Sequence, residues 1–129
     1  MFALSSFTLT VGIVPAVRGR EVSRPSARIV EEIRTLAAAG TSEVTLLGQT
    51  VNAYGRARPG QVEGELAFAD LIRRVAEIPG IRRIRFTSPH PKDFRTPVIA
   101  AIAECGAVCE HVHLPLQSGS SRILKAMRR

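Results

Sequence analysis

The chain has 129 residues, the size of a single domain, and 45% of them are hydrophobic against 22% charged. The formal net charge is +7, which suits an anionic partner such as RNA, although an Arg-rich genome composition explains it equally well. No apolar run approaches the roughly 20 residues that span a bilayer, and two cysteines form no secreted disulfide framework. Composition therefore predicts a globular cytoplasmic protein without a membrane partner.

Short apolar segments rich in β-branched residues are predicted as strands, and helix-length segments separate them. Such an alternation predicts parallel strands joined by right-handed crossovers. The predicted fold class is therefore α/β, and both an open doubly wound sheet and part of a TIM-type barrel satisfy the pattern. The predicted strands are Leu9–Pro15, Glu43–Gly48, Ile84–Ser88 and His111–Leu116.

Helices are predicted where apolar residues recur at helical spacing. Ser23 is the predicted N-cap of the first helix, with Pro25 in its first turn and Gly40 at its end. The third is predicted from Thr96 to about Cys105. The second helix carries Phe68, Leu71, Ile72 and Val75 on one face and ends at Pro79–Gly80. The third helix runs through Ile99 and Ile102. The last helix begins near Ser121 and is predicted to bury Ile123, Leu124 and Met127.

Polar residues gather where each predicted strand ends, and in both architectures the loops at the carboxyl ends of the strands form the site. Gln49 and Asn52 begin a long polar loop that runs to about Glu65, and their amides either grip a polar ligand or satisfy backbone groups. His90, between two prolines, is either structural or catalytic. Ser118, before the last helix, either holds an anion or caps that helix.

Residues able to bind a metal are few. His111 and His113 share one face of their predicted strand, but no third ligand stands at a suitable spacing. Cys105 and Cys109 form a C-x-x-x-C pair, whereas an iron–sulfur cubane needs three or four thiolates. We therefore interpret the two cysteines as packing residues, at the end of the sheet opposite the expected site.

Four segments carry a more specific signal: Arg18–Pro25 (RGREVSRP), Leu46–Gly55 (LLGQTVNAYG), Arg85–Pro91 (RFTSPHP) and His113–Ser120 (HLPLQSGS). In this order and at this spacing they resemble the successive motifs of the MiaB-type methylthiotransferases, which are radical SAM enzymes. The resemblance is continuous from about residue 13 to the C-terminus. It implies a partial TIM-type barrel of about four βα units.

The resemblance also implies an activity: addition of a methylthio group to the isopentenyl-modified adenosine beside the tRNA anticodon. It implies tRNA as the partner, with S-adenosylmethionine and a 4Fe–4S cluster as cofactors. Arg18, Arg20 and Arg24 are implied to face RNA phosphates near the mouth of the barrel. The residues implied to line the cofactor and substrate pocket are Gln49, Asn52, Ser88, His90, Gln117 and Ser118.

The chain departs from the family at the cluster. The family's C-x-x-x-C-x-x-C motif falls on Ser5, Leu9 and Gly12, and none of these residues supplies a thiolate. Because the cofactor chemistry belongs to the cluster, we expect the chain as written to be inactive. We divide it into residues 1–12, an unmatched segment from a misread or truncated frame or a degraded gene, and residues 13–129, a partial radical SAM barrel.

Three functions stay open at this point. The first is that of a partial tRNA methylthiotransferase, whose intact form does the chemistry. The second is that of a cluster-free remnant that binds RNA or S-adenosylmethionine without catalysis. The third is an unrelated TIM-type enzyme with phosphate or metal chemistry. The sequence has neither a glycine-rich phosphate loop nor a cluster of carboxylates, which speaks against the third.

Overall fold

The computed structural model describes residues 24–48, 50–56, 65–114 and 118–126, together with the backbone of residues 6–10. No helix in these ranges is long and apolar enough to cross a membrane. The strands are β1 (Ser6–Thr10), β2 (Glu43–Leu47) and β3 (Arg83–Phe86). The helices are α1 (Ser26–Ala38), α2 (Phe68–Ala76), α3 (Thr96–Glu104) and α4 (Ser121–Ala126), with 3-10 turns at Val51–Ala53 and Pro91–Asp93.

The three strands form one parallel sheet in the order β1-β2-β3. Ser6 is opposite Glu43 in the first pair, and Glu43 is opposite Arg83 in the second. Helices connect β1 to β2 and β2 to β3, so the predicted α/β class with parallel strands is confirmed. Closure of this sheet into a barrel stays an expectation from the resemblance.

Backbone pairing moves the strand ends by a few residues. β1 begins at Ser6 rather than Leu9, and residues 11–15 of the predicted strand lie outside the described ranges. β2 ends at Leu47, one residue before the predicted end. β3 ends at Phe86 rather than Ser88, because Ser88 has φ 55° and therefore leaves the extended conformation.

The predicted fourth strand is wrong for its described residues, since 111–114 form no strand. Instead, Val108 makes a single parallel bridge to Ile84, and the Cys109 N–H donates to the Ile84 carbonyl at 3.0 Å. The His111 N–H then donates back to the Cys109 carbonyl at 2.7 Å, which forms a tight turn that takes the chain away from β3. Residues 115 and 116 lie outside the described ranges.

The start of α1 differs from the prediction. Pro25 precedes the helix instead of lying in its first turn, and its carbonyl accepts the Arg28 and Ile29 N–H groups. Ser23 lies outside the described ranges, and the Ser26 N–H donates instead to the carboxylate of Glu65, 2.7 Å away. Gly40 follows the helix at φ 98°, as its position predicts.

Helix α2 confirms the predicted apolar face. Phe68, Leu71, Ile72 and Val75 are all buried, and Gly80 ends the following turn at φ 94°. The ring of Phe68 packs edge-on against that of Phe86, with the centroids 5.5 Å apart and the planes at 85°. This pair joins α2 directly to β3.

The face predicted for the last helix is wrong for its described residues, and the third helix is buried through residues that the sequence did not single out. Helix α3 buries Val98 and Ala101 against α2, whereas Ile99 is 55% exposed and Ile102 is only partly buried. Helix α4 buries none of its described residues: Ile123 is exposed and Leu124 is half-buried, and Met127 lies outside the described ranges. Helical spacing identified apolar residues here, but the neighbouring elements determine which of them are covered.

The sheet is covered on one face. Val44, Leu46, Ile84 and Phe86 share one core with the buried faces of the helices. On the other face, Glu43 accepts hydrogen bonds from Nε of Arg83 and Nε of Arg85, and these two bonds hold the pKa of Glu43 below its ordinary value of 4.5. Parallel sheets normally have both faces covered. In the described part of the chain, by contrast, the face that carries Glu43 is open.

Gly55 is expected to be the glycine that tolerates substitution least. It has φ 72°, and a Cβ at this position would lie 2.0 Å from the carbonyl oxygen of Leu66. Gly55→Ala should therefore lower the free energy of unfolding by about 3 kcal/mol or more, because strain and a backbone clash add. Urea denaturation measures this change.

Gly40→Ala is the matched control, since Gly40 has φ 98° with open space around the added Cβ. It should lower the free energy of unfolding by only about 1 kcal/mol, because the left-handed conformation is the one unfavourable feature that alanine meets there. Equal losses in the two variants would contradict the clash at Leu66.

Candidate functional site

The loops that follow β2 and β3 lie together at the carboxyl edge of the sheet, where the sequence predicts the site. Asn52 belongs to the first loop and His90 to the second. The structure brings these two predicted site residues into direct contact. Gln49 and Gln117, predicted beside them, lie outside the described ranges.

Asn52 holds the backbone of His90 from both sides. Its Nδ2 donates to the His90 carbonyl at 2.9 Å, and its Oδ1 accepts the His90 N–H at 2.8 Å. The side chain is only 4% exposed, so both bonds are shielded from water. These contacts match the backbone-satisfying alternative that the sequence left open. A ligand contact by Asn52 stays a prediction, since an amide has further donor and acceptor capacity.

The first loop is fixed to the core beneath it. Val51, Ala53 and Tyr54 are all buried around the 3-10 turn, although the sequence predicts a polar loop in this region. The prediction was wrong for these residues because it treated the whole segment from Gln49 to about Glu65 as one polar, glycine-rich loop. Asn52 is therefore carried by a segment that is part of the hydrophobic core.

Arg56 and Asp93 make a second link between the two loops. Arg56 Nη2 lies 2.5 Å from Asp93 Oδ1, and Asp93 is only 6% exposed. Asp93 Oδ1 has no hydrogen-bond partner with acceptable geometry, so the contact between Arg56 and Asp93 is an ion pair. Sequence reasoning missed both residues, because a charged pair 37 positions apart gives no local signal. Removing one partner of such a pair leaves the other charge uncompensated.

The second loop turns sharply at Ser88. Its φ of 55° is a left-handed conformation that non-glycine residues rarely adopt, and its side chain is exposed. Pro89 is buried and His90 is half-buried immediately after it. Strained residues of this kind cluster at functional sites.

His90 also begins the 3-10 turn Pro91–Asp93. Its Nδ1 accepts the Lys92 N–H at 3.2 Å, while its carbonyl accepts the Asp93 N–H at 3.0 Å in addition to the Asn52 amide. The imidazole ring and the backbone of His90 are thus both fixed by named contacts.

Tyr54 and Glu65 connect the first loop to the start of α1. The Tyr54 hydroxyl donates to the Arg24 carbonyl at 2.7 Å and lies 3.0 Å from Oε2 of Glu65. Burial and the nearby Glu65 carboxylate raise the pKa of Tyr54 well above its ordinary value. Sequence reasoning missed this group, although a carboxylate is a favourable partner for a helix N-terminus.

Arg24, predicted to face RNA, is half-buried beside this group. Its guanidinium contacts the carboxylate of Glu32 on helix α1. The described contacts of Arg24 are therefore structural, and its role toward RNA stays a prediction. Arg18 and Arg20 lie outside the described ranges.

Ser118 lies apart from the Asn52–His90 contact. Its Oγ accepts the Ser120 N–H at 3.1 Å, just before α4 begins at Ser121. This is a local turn of the kind that serine side chains favour before helices. Among the described contacts, none joins Ser118 to Asn52 or His90.

The residues present do not fit a 4Fe–4S cluster. The chain has two cysteines, Cys105 and Cys109, fewer than the three thiolates that a cubane needs, and both are half-buried beside α3. The backbone of Leu9, one expected ligand position, is paired with Leu46 in the β1–β2 ladder. The described residues contain no group of three His, Cys, Asp or Glu side chains that could hold a metal ion. Burial raises the pKa of Cys105, which favours the thiol over the thiolate.

An open groove of about 810 Å³ lies beside α3, at the edge of the sheet next to Val108. Ile99, Val112 and Leu114 line it, together with both cysteines. It contains neither Asn52 nor His90, although Phe94 from the loop after β3 lines it. Cys105 packs against the core, whereas a packing role for Cys109 stays a prediction.

Comparison with known proteins identifies the family of this chain. A family model described as the radical SAM superfamily matches residues 8–129. The tRNA-2-methylthio-N(6)-dimethylallyladenosine synthase of Geobacter sulfurreducens is 56% identical over 117 residues, which cover 91% of this chain and 25% of the relative. The synthase of the same name from Clostridium perfringens strain SM101 is 52% identical over 129 residues, which cover 100% of this chain and 28% of the relative. The chain thus spans about a quarter of the length of the curated relatives it matches.

We expect Asn52→Ala to loosen the second loop. The substitution leaves the His90 N–H and carbonyl without their buried partner and should lower the free energy of unfolding by about 2–4 kcal/mol. Amide exchange at His90 should accelerate by more than the global loss of stability accounts for. Lys92→Ala, an exposed change in the same loop, is the control and should alter neither quantity. Unchanged exchange at His90 in Asn52→Ala would contradict the contact.

Glu65 should make stability depend on pH. Burial alone would raise its pKa, but hydrogen bonds from Ser26 and Tyr54 outweigh burial and hold it below the ordinary value of 4.5. Ionised Glu65 therefore stabilises the folded chain above that pH, and this stabilisation is lost as the pH falls through the lowered pKa.

Glu65→Gln keeps one acceptor oxygen, which can take both hydrogen bonds that reach Oε2 of Glu65, but removes the titration. We expect the free energy of unfolding to change less between pH 7 and pH 3 in this variant than in the wild type, measured by urea denaturation. Glu110→Gln, at an exposed position, should keep the wild-type dependence. The same pH dependence in all three proteins would show that Glu65 contributes nothing.

Proposed function

The chain belongs to the radical SAM superfamily, and from this premise we propose that it is part of a tRNA-2-methylthio-N(6)-dimethylallyladenosine synthase. The observation that carries the proposal is the 56% identity over 117 residues to a synthase of that name. The reaction would add a methylthio group to the isopentenyl-modified adenosine beside the tRNA anticodon, in the cytoplasm. Its cofactors would be S-adenosylmethionine and a 4Fe–4S cluster, and its partner tRNA.

We further propose that the chain as written does not catalyse this reaction. Reductive cleavage of S-adenosylmethionine is the chemistry that a bound cluster supplies, and these 129 residues lack the thiolates to hold one. What the chain retains is the carboxyl edge of the sheet. There the Asn52–His90 contact and the Arg56–Asp93 pair hold two loops in place without any cysteine.

The pocket at this edge is proposed to hold S-adenosylmethionine and the target base. Asn52 and His90 are proposed as members because their contact joins the two loops at this edge. Ser88, in its left-handed turn, presents an exposed hydroxyl beside them. The other proposed members are Gln49, Gln117 and Ser118, and the proposed RNA-facing residues are Arg18, Arg20 and Arg24.

A second candidate is a cluster-free remnant that binds RNA or S-adenosylmethionine without catalysis. The loop contacts at the carboxyl edge favour it, since they depend only on residues that the chain contains. The net charge of +7 is compatible with binding to RNA. A tRNA mobility shift that weakens steeply with salt would support this candidate, because phosphate contacts release counterions.

The origin of residues 1–12 is a separate proposal. We propose that they derive from a misread frame or a degraded gene, because all three expected ligand positions lack cysteine. The family model begins at residue 8, and the Clostridium perfringens alignment spans all 129 residues. The test is to resequence the locus and translate the other frames upstream of Ile13. The absence of a cysteine-containing frame would rule out the frame error.

Anaerobic iron–sulfur reconstitution tests the cluster proposal directly. The wild-type chain should bind no 4Fe–4S cluster, whereas the triple variant Ser5→Cys, Leu9→Cys, Gly12→Cys should gain iron, sulfide and visible charge-transfer absorbance. The readout is the iron and sulfide content per chain, with the absorbance spectrum.

Cys105→Ser, Cys109→Ser, introduced into both proteins, is the control for adventitious binding. It should change neither result. A cluster in the wild type that this double change abolishes would show that the C-x-x-x-C pair is a ligand pair. A triple variant without a cluster would show that positions 5, 9 and 12 are not the ligand positions.

A further inference from the structure

His90 is held more completely than a loop residue requires. Asn52 binds its N–H and its carbonyl, and the Lys92 N–H binds its Nδ1. Asn52 comes from the first loop and fixes the backbone of His90 relative to β2, while Lys92 holds the ring within the second loop. A residue that only began the 3-10 turn would need the Lys92 contact alone.

The contact at Nδ1 determines the protonation of the neutral ring. A nitrogen that accepts a hydrogen bond carries no proton, so the proton of neutral His90 lies on Nε2. Among the described residues none accepts a hydrogen bond from Nε2, and the ring is half-buried. The neutral ring of His90 therefore presents one N–H donor, Nε2–H, at the carboxyl edge.

We propose that Nε2–H of His90 donates a hydrogen bond to an adenine nucleoside bound at this edge, and that Asn52 is the residue that positions it. This assignment rests on the proposed function. Adenine ring nitrogens such as N3 and N7, and the ribose hydroxyls, are acceptors for such a donor. S-adenosylmethionine and the target base both contain this nucleoside, so they share the chemistry and differ as its source.

Two substitutions separate the two nitrogens of the ring. In His90→Asn the side-chain oxygen can replace Nδ1 as the acceptor for Lys92, but no donor reaches the position of Nε2. In His90→Gln the amide nitrogen can reach the position of Nε2. A purely structural His90 predicts that His90→Asn behaves as wild type, because asparagine is a favourable cap. The proposed role predicts that His90→Gln retains binding and His90→Asn loses it.

The experiment is a titration of the ¹⁵N-histidine-labelled chain, followed by NMR, with the His90 signal assigned from the variants. Its two arms use S-adenosylmethionine and N6-dimethylallyladenosine. We expect the free protein to show the Nε2–H form and the His90 Nε2 signal to shift with ligand. His90→Asn should weaken binding about tenfold, the loss of one hydrogen bond, and His90→Gln by less than about threefold. The arm that shows this difference identifies the source of the nucleoside.

Asn52→Ala provides an independent readout. It should weaken binding and also broaden or shift the His90 ring signals in the free protein, since the backbone that carries the ring loses its link to the first loop. A Nδ1–H form in the free wild type would overturn the assignment without reference to any ligand. Equal affinity of His90→Asn and wild type would also overturn it while leaving the proposed function intact. A wild-type chain that binds neither nucleoside would overturn the proposed function and the assignment together.

Discussion

One buried amide fixes the geometry of the carboxyl edge. Asn52 satisfies both polar groups of the His90 backbone, and it can do so because the turn that carries it is packed into the core. Loops between parallel strands and helices have few regular partners for their N–H and carbonyl groups, so buried ones must find a side chain. The two hydrogen bonds of Asn52 therefore link the loops after β2 and β3, in addition to the backbone hydrogen bonds between the strands. Asn52 also holds a half-buried histidine at the carboxyl edge.

The same loop is also joined to the start of α1 through Tyr54 and Glu65. Glu65 accepts the first N–H of α1, which otherwise has no partner within the helix. Tyr54 contacts both Glu65 and the Arg24 carbonyl, so the start of α1 and the loop after β2 share hydrogen bonds. The carboxyl edge is thus a connected structure, in which Gly55 gives the backbone the space it needs near Leu66.

The family relationship and the missing thiolates concern different parts of the molecule. The contacts that hold the carboxyl edge involve amides, a tyrosine and ion pairs, whereas the thiolates proposed to hold a cluster would fall at positions 5, 9 and 12. The nucleoside contact proposed for His90 therefore requires no cysteine.

The sequence by itself determined the α/β class, the buried face of α2, the glycine that follows α1, and the family. These features depend on local spacing and on motifs, which can be recognised in the sequence alone. Only the tertiary structure decided that Val98 and Ala101 rather than Ile99 face the core, since the neighbouring helix selects the face. It also decided that the chain leaves the sheet after Val108 and that Asn52 meets His90. Contacts between residues 38 positions apart depend on how β2 and β3 are paired, and no local pattern encodes that distance.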